Sequence, residues 1–402
     1  MTSVDFPRTR WREIAAYRRT NGSPAPERRI ETGPYRRKPP PVWRHADLLL
    51  LLAAVGISAL GALMILSSTR GTDPNAYDLS YLRRQLVFIG MGFATMILVA
   101  SVDYRRLRDW AWLPYALAIV LLGLVLTGLG TERRGTQAWF QVGAFQLQPA
   151  ELAKVVVIVA VAVLLARPEP PLAARWVLGA LLALGFPMAL ILLQPDMGTA
   201  LVFVAIAMGM LLVAGARLRH LVVITAVGVI GVIGVLNSDM LEEYQRDRLT
   251  VFLESETGSP ETYNSDQAKI ALGSGGASGK GLFEGTQTRL GIVPEQHTDF
   301  IFTALGEELG FAGCATVLTL FWVLCWRTWR TAQIARDRLG MLLCGGVLSM
   351  LVFQVFENVG MTMGIMPITG IPLPLMSYGG SSTLTMFAAV GLVLNVHMRR
   401  FR

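Results

Sequence analysis

The stretch Pro294-Glu295-Gln296-His297-Thr298-Asp299-Phe300-Ile301-Phe302 runs from a polar, acid-bearing segment straight into an apolar helix. A carboxylate at Asp299 would sit where water meets lipid, placed to take a proton from a hydroxyl on a lipid-linked substrate. Asp and Thr are also common at helix starts, so Asp299 or Thr298 has a second reading as a cap. His297 could orient the acid or tune its pKa, or simply pack, and Glu295 is a weaker alternative base. Glu151 and Lys154 stand three apart at the start of another apolar run, on one helix face where they can pair. Such a pair at membrane depth is costly, which marks either function or an ion pair that fixes helix packing. Arg246, Arg248, Lys269, Lys280 and Arg289 are interspersed with Gly273, Gly275, Gly276, Gly279, Gly281 and Gly285. Glycines let backbone N–H groups approach an anion that basic side chains neutralise, although scattered basic residues in a loop are usually solvated. The spacing is not a P-loop, since no Gly-Lys-Ser/Thr follows a strand. The acids show no metal-ligand spacing, so no cofactor is assigned, a divalent cation being conceivable only beside a phosphate.

The elements that must position these residues are membrane helices. Hydrophobic residues make up 53% and charged residues 16% of the 402, too apolar for an ordinary soluble chain of this length. The pattern predicts an all-α polytopic membrane protein with about ten transmembrane helices, at 46–66, 85–101, 111–130, 151–166, 175–193, 198–215, 220–237, 300–324, 340–363 and 383–397. An even number puts both termini on one side. Arg105, Arg106 and Arg108, then Arg167 and Arg175, Arg217 and Arg219, and Arg327 to Arg338 mark the turns on that side as cytoplasmic, together with both basic ends. The net charge of +8 is thereby used for orientation, and nucleic-acid binding by the basic tail is not expected.

Residues 1–45, rich in Arg and Pro, read as a disordered cytoplasmic tail, and 46–402 as the transmembrane domain, with a large extracytoplasmic loop at about 238–299 between spans seven and eight. The first span reads as an uncleaved anchor. Three cysteines, Cys314, Cys325 and Cys344, are too few for a disulfide framework. Besides 238–299, only 131–150 and 364–382 are long enough on the outer side to build a site. The last is broken by Pro367, Pro372 and Pro374 yet apolar, which predicts a re-entrant segment, either a plug or the lining of a groove. Glu307, Glu308, Glu357 and Asn358 read as structural hydrogen-bonding groups, and Asp196 is left open.

The runs Gln148-Pro149-Ala150-Glu151-Leu152-Ala153-Lys154, Gln194-Pro195-Asp196-Met197-Gly198-Thr199, Gly273-Ser274-Gly275-Gly276 with Gly279-Lys280-Gly281, Pro294 to Phe302, and Gly370-Ile371-Pro372-Leu373-Pro374 with Ser377-Tyr378-Gly379-Gly380-Ser381-Ser382 resemble the SEDS family (shape, elongation, division, sporulation). The resemblance runs in order from about residue 45 to the end. Gly285-Thr286-Gln287 and Phe356-Glu357-Asn358-Val359-Gly360-Met361 resemble the elongation branch, RodA, more than the division branch, FtsW. It implies a peptidoglycan glycosyltransferase of the bacterial cytoplasmic membrane, with its site on the extracytoplasmic side, polymerising lipid II beside a class B penicillin-binding protein as transpeptidase. Asp299 matches the family's essential acid and becomes the general base of an inverting transfer. Trp139, Glu151, Lys154 and His297 are the substrate-binding candidates, with Lys280, Arg246 or Arg248 near the leaving pyrophosphate. The family usually has Arg where Ala138 stands here, so Arg133 or Arg134 would have to supply any phosphate contact that Arg makes. Two alternatives from other classes are a lipid II flippase and a non-catalytic scaffold for the penicillin-binding protein.

Overall fold

The computed structural model describes residues 42–70, 78–133, 136–143, 145–236 and 260–401. Their helices are α1 (Leu48–Thr69), α2 (Ser80–Ser101), the short α3 (Leu107–Trp110), α4 (Trp112–Val125), α5 (Pro149–Leu165), α6 (Ala174–Leu192), α7 (Met197–Val213), α8 (Leu218–Leu236), α9 (Pro260–Ser274), α10 (Thr286–Arg289), α11 (Ile301–Gln333), α12 (Arg338–Thr362) and α13 (Gly380–Met398). The chain is mostly helical, and each of the ten expected spans coincides with a helix. Six, α1, α2, α6, α11, α12 and α13, have the length and apolar composition to cross a bilayer. A bent pair, Tyr104–Trp110 with Trp112–Val125 at 66°, makes a seventh. α5 and α7 are apolar but only 17 residues long.

Local chemistry sets several helix starts. Asp47 accepts the Leu50 amide at 3.2 Å to cap α1, and Asp337 accepts the Gly340 amide at 2.8 Å to cap α12. Pro149 opens α5 at a position where its missing N–H costs nothing. Asp78 accepts the Ser80 amide at 2.8 Å, a bond that holds its carboxyl below the usual range. α13 is buried along almost its whole length and is the axis of the bundle, whereas α2 and α8 present apolar side chains outward, as a helix facing lipid does.

Two features depart from a plain loop-and-helix reading. Residues 131–147 form a three-stranded antiparallel sheet, β1 (Thr131–Arg133), β2 (Thr136–Val142) and β3 (Phe145–Leu147), in the order β1-β2-β3, with Thr131 opposite Trp139 and Phe140 opposite Leu147. The second is a break in α11 at Gly310, whose φ of 62° and ψ of −161° lie outside helical space. The break frees backbone groups that the segment 276–281 satisfies: Lys280 N and Gly281 N donate to the carbonyls of Glu307 and Glu308 at 3.0 Å, while Phe311 N and Ala312 N donate to Gly276 and Ala277 at 2.9 and 3.1 Å.

This contact requires glycine. A Cβ on Gly310 would lie 2.3 Å from Gly279 N, and one on Gly279 would lie 2.1 Å from Glu308 O. Gly310→Ala is therefore expected to cost about 1–3 kcal/mol from the backbone conformation alone, more with the clash, read as a lower unfolding midpoint in detergent. An unchanged midpoint would mean that the break is not held by this contact.

The pole opposite Asp299 is pinned by one buried and two half-buried arginines. Arg327 pairs with Asp47 at 2.8 Å, Arg338 donates to the carbonyls of Ala214 (2.7 Å) and Pro168, and Arg399 donates to Ala100 O and Ser101 O at 2.9 and 2.7 Å. Arg338 and Arg399 cap carbonyls at helix C-termini that have no partner within their own helix, and Arg327 neutralises the buried N-cap acid of α1.

Candidate active site

Asp299 ends the polar segment two residues before α11, and the N-cap position is Phe300, so the acid is not the cap residue of that helix. Its side chain is half-buried. The backbone around it is held on several sides. Asn358 of α12 donates through Nδ2 to Asp299 O and to Ile371 O, both at 2.8 Å. Ser377 Oγ donates to Thr298 O at 2.5 Å, and Tyr378 N donates to His297 O at 3.0 Å. A single asparagine thus ties the acid segment to the broken segment 364–379, which wraps over the start of α11. Gly370 supplies the positive φ of 72° at which that segment turns beside the acid, and a Cβ there would be in ordinary contact, 3.6 Å, with Asp299 Oδ2.

The expected re-entrant segment is thus packed and largely buried, and it frames Asp299. Gln85 of α2 grips its end, donating to Ser377 O at 3.4 Å and accepting from Gly379 N at 3.3 Å. The His297 ring meets Tyr81 edge-on with centroids 5.0 Å apart and lies 5.6 Å from Tyr378. Phe88 continues the cluster to Phe145 of β3 at 5.5 Å. An aromatic wall therefore links the acid segment to the sheet.

The sheet and α5 meet the same pole. Ser381 Oγ donates to Gln146 O at 3.1 Å and accepts from Gln148 N at 3.0 Å. Gln148 Nε2 donates to Asp196 Oδ2 at 3.0 Å, and Asp196 caps α7 through the Thr199 amide at 2.9 Å and hydroxyl at 2.8 Å. The open reading of Asp196 resolves to a cap that also anchors the start of α5. Glu151 and Lys154 follow on that helix, paired at 2.7 Å and both buried. Glu151 Oε2 is buried and has no hydrogen-bond partner among the described residues. A buried orphan acceptor beside a buried cation is a costly arrangement that packing alone does not ask for.

On β2, Trp139 is half-buried and Ala138 fully buried, on opposite faces as strand alternation demands. Trp139 holds the hairpin through its carbonyl, which accepts from Thr131 Oγ1 at 3.0 Å. Position 138 therefore points into the fold. Arg134, Arg246 and Arg248 lie outside the described residues, as does the side chain of Arg133.

The glycine-rich segment corrects the anion-cradle expectation. The amides of Gly275, Gly276, Gly279, Lys280 and Gly281 all donate to backbone carbonyls, so they are not available to an anion. Lys280 Nζ donates to Glu307 Oε1 and Thr286 Oγ1, both at 2.7 Å. Glu307 is an acceptor hub for the start of α10, taking Gln287 N and Thr288 N at 2.8 Å. Glu308 takes Ser67 Oγ and, at 3.1 Å, Phe283 N. Both acids are structural, as read from the sequence. Glu357 and Asn358 also serve packing, with Thr369 Oγ1 donating to Glu357 Oε1 at 3.0 Å. Among the described residues no three His, Cys, Asp or Glu side chains gather into a metal site.

Sequence reasoning missed Tyr81, Gln85 and the positioning role of Asn358. Only the segment 370–382 carried a signal, because its prolines and glycines in an apolar context require cover from protein.

Residues 47–401 match the family profile described as a cell cycle protein, FtsW/RodA/SpoVE. Stage V sporulation protein E of Bacillus subtilis is 38% identical, over 87% of this chain and 96% of the relative. Peptidoglycan glycosyltransferase MrdB of Escherichia coli K12 is 34% identical, over 89% of this chain and 94% of the relative. A chain from a solved structure titled as a peptidoglycan synthase complex coordinating polymerization and crosslinking superposes with a TM-score of 0.74 at 32% identity, over 89% of this chain and 99% of that one. With a profile match over nearly its whole length and the same fold in a solved relative, this chain belongs to the FtsW, RodA and SpoVE family, the SEDS proteins, and is a multi-pass membrane protein.

Proposed function

We propose that this chain is a peptidoglycan glycosyltransferase that polymerises lipid II during cell elongation, with Asp299 as general base. The observation that carries the reading is the clamped backbone of Asp299. Asn358, Ser377 and Tyr378 fix the main chain at residues 297–299, so the carboxylate is delivered from a rigid frame at the end of α11. Membership of a family whose relatives are named peptidoglycan glycosyltransferases supports the activity. Relatives named FtsW match at similar identity, so elongation rests on the residues 285–287 and 356–361.

In the proposed reaction a GlcNAc 4-hydroxyl attacks the anomeric carbon of a MurNAc carried on undecaprenyl pyrophosphate. Asp299 takes the hydroxyl proton as the new C–O bond forms, and the pyrophosphate leaves from the opposite face, so the configuration inverts without an enzyme-bound intermediate. Trp139, Glu151, Lys154 and His297 line the groove for the sugars. Arg246 and Arg248, with the remaining donor of Lys280, neutralise the leaving group. No resident cofactor is assigned. Activity lost in chelator and restored by magnesium would transfer that neutralising role to a cation.

The proposal places α5, α7 and α8 across the bilayer as well, giving ten spans with both termini in the cytoplasm and Asp299 on the outer face of the cytoplasmic membrane. Of the expected tail 1–45, residues 1–41 lie outside the described residues. A class B penicillin-binding protein is the proposed partner, receiving nascent strands for crosslinking. The functional test is labelled lipid II incubated with the purified chain, alone and with that partner inactivated at its transpeptidase serine. Glycan strands are expected; no strands, with lipid II crossing liposomes instead, would favour the flippase.

Asn358 gives a second test of the frame. Asn358→Ala removes the bonds to Asp299 O and to the buried Ile371 O, the latter at about 1–3 kcal/mol. The folded fraction of that variant is expected to polymerise about tenfold slower or worse, because a misplaced base loses rate steeply. Wild-type specific activity in the folded fraction would show that Asn358 does not position the acid.

A further inference from the structure

The pole opposite Asp299 carries a cavity that the proposed reaction does not use. It has a volume of about 280 Å³ and lies between α4, α5 and α6, beneath the 66° bend that separates Tyr104–Trp110 from α4. Its walls are mainly apolar, with Trp112, Tyr115, Val163 and Leu164 among them, and Arg108 and Arg167 line it as well. Tyr115 spends its hydroxyl on Ala183 O at 2.9 Å, tying α4 to α6.

We propose that this cavity binds an anionic phospholipid, with Arg108 and Arg167 on the phosphate and the apolar wall along the upper acyl chain. Both arginines are exposed, and among the described residues neither makes an ion pair or a side-chain hydrogen bond, unlike Arg327, Arg338 and Arg399 at the same pole. Two unpaired guanidinium groups beside an apolar hollow ask for a ligand that brings both negative charge and hydrocarbon. A free phosphate or a nucleotide would leave the apolar wall unused.

The level of the cavity along the bundle points to the same ligand. Trp110 and Trp112 are 63% and 65% exposed on either side of the bend, the position at which tryptophan marks the headgroup layer. Leu113, next to Trp112, and Leu117, just over one turn further along α4, are exposed apolar residues, so the cavity opens beside the hydrocarbon. Arg106 and Arg175 add positive charge on the flanking elements, while Arg105 is paired with Asp337 at 3.3 Å, at a pole that would face an anionic leaflet on the cytoplasmic side. A zwitterionic lipid would bring an ammonium group toward the same arginines, so a net anionic headgroup is preferred.

The test is native mass spectrometry of the full chain in mild detergent, titrated with phosphatidylglycerol or with phosphatidylcholine of the same acyl chains. Wild type is expected to retain one phosphatidylglycerol in preference to phosphatidylcholine, and Arg108→Gln/Arg167→Gln to bind it about 30-fold more weakly, from the worth of two basic residues at a membrane surface. Arg217→Gln/Arg219→Gln, at the same pole but outside the cavity, is expected to bind as wild type does. Equal loss in both double variants would reduce the effect to general charge and overturn the site, as would equal retention of the two lipids by wild type. Millimolar inorganic phosphate that displaces the bound lipid would reassign the arginines to a free anion. Both arginines lie at the surface, and if the double variant does not purify, each single variant is expected to lose about fivefold, with no loss in either counting against the site.

Discussion

Asp299→Asn is expected to slow lipid II polymerisation by about 10²- to 10⁴-fold, the usual worth of a positioned general base, while leaving the unfolding midpoint close to that of wild type. Stability should survive because the frame around residue 299 is built from its neighbours' backbone: Asn358 and Ser377 bind the carbonyls of Asp299 and Thr298, and neither bond needs the carboxylate. The amide is nearly isosteric, so the half-buried side chain keeps its volume while its basicity is removed. Steady-state polymerisation on labelled lipid II, set beside a melting curve of the same preparation, separates the two effects. A large fall in stability with a proportional fall in rate would make Asp299 a structural acid.

The second large effect belongs to Glu151 and Lys154. Removing one partner of a buried ion pair leaves an uncompensated charge, at about 3–5 kcal/mol, so Lys154→Ala is expected to be strongly destabilised. Replacing both partners with neutral groups of similar size, Glu151→Gln/Lys154→Met, removes the charges together and is expected to recover most of that stability. Polymerisation is expected to stay absent in the recovered double variant. Lys154 meets Glu151 Oε1 at 2.7 Å and Glu151 Oε2 is buried with no hydrogen-bond partner among the described residues, so on the proposed reading the pair serves the site as well as the packing. Denaturant unfolding and strand synthesis on the same three proteins decide the matter. Activity returning together with stability would make the pair a packing device.

The apolar helices were legible because their apolar runs are long. Asp299 stood out as an acid at a polar-to-apolar junction, where a cap was the competing reading; the folded chain puts Phe300, not Asp299, at the N-cap position of α11. The glycine-rich segment was misread for a physical reason. Gly275 and Gly279 look like part of a flexible anion loop in one dimension, yet their missing side chains let that segment touch the backbone of α11, and nothing local in Leu309-Gly310-Phe311 announces the break there. The sheet at 131–147 was hidden in a similar way: its three strands are short, and what fixes β3 is long-range, through Ser381 and the Phe88–Phe145 contact. Asn358 was read as structural from its position inside a span, which was correct for its chemistry; that its two bonds end on Asp299 and Ile371 could come only from the folded chain.

The most direct test measures binding and chemistry in one sample: labelled lipid II is titrated into the Asp299→Asn protein in nanodiscs, and bound lipid and glycan strands are counted together. The account predicts lipid II bound with wild-type affinity and strands reduced at least a hundredfold. Strands made at the wild-type rate by that protein would contradict it.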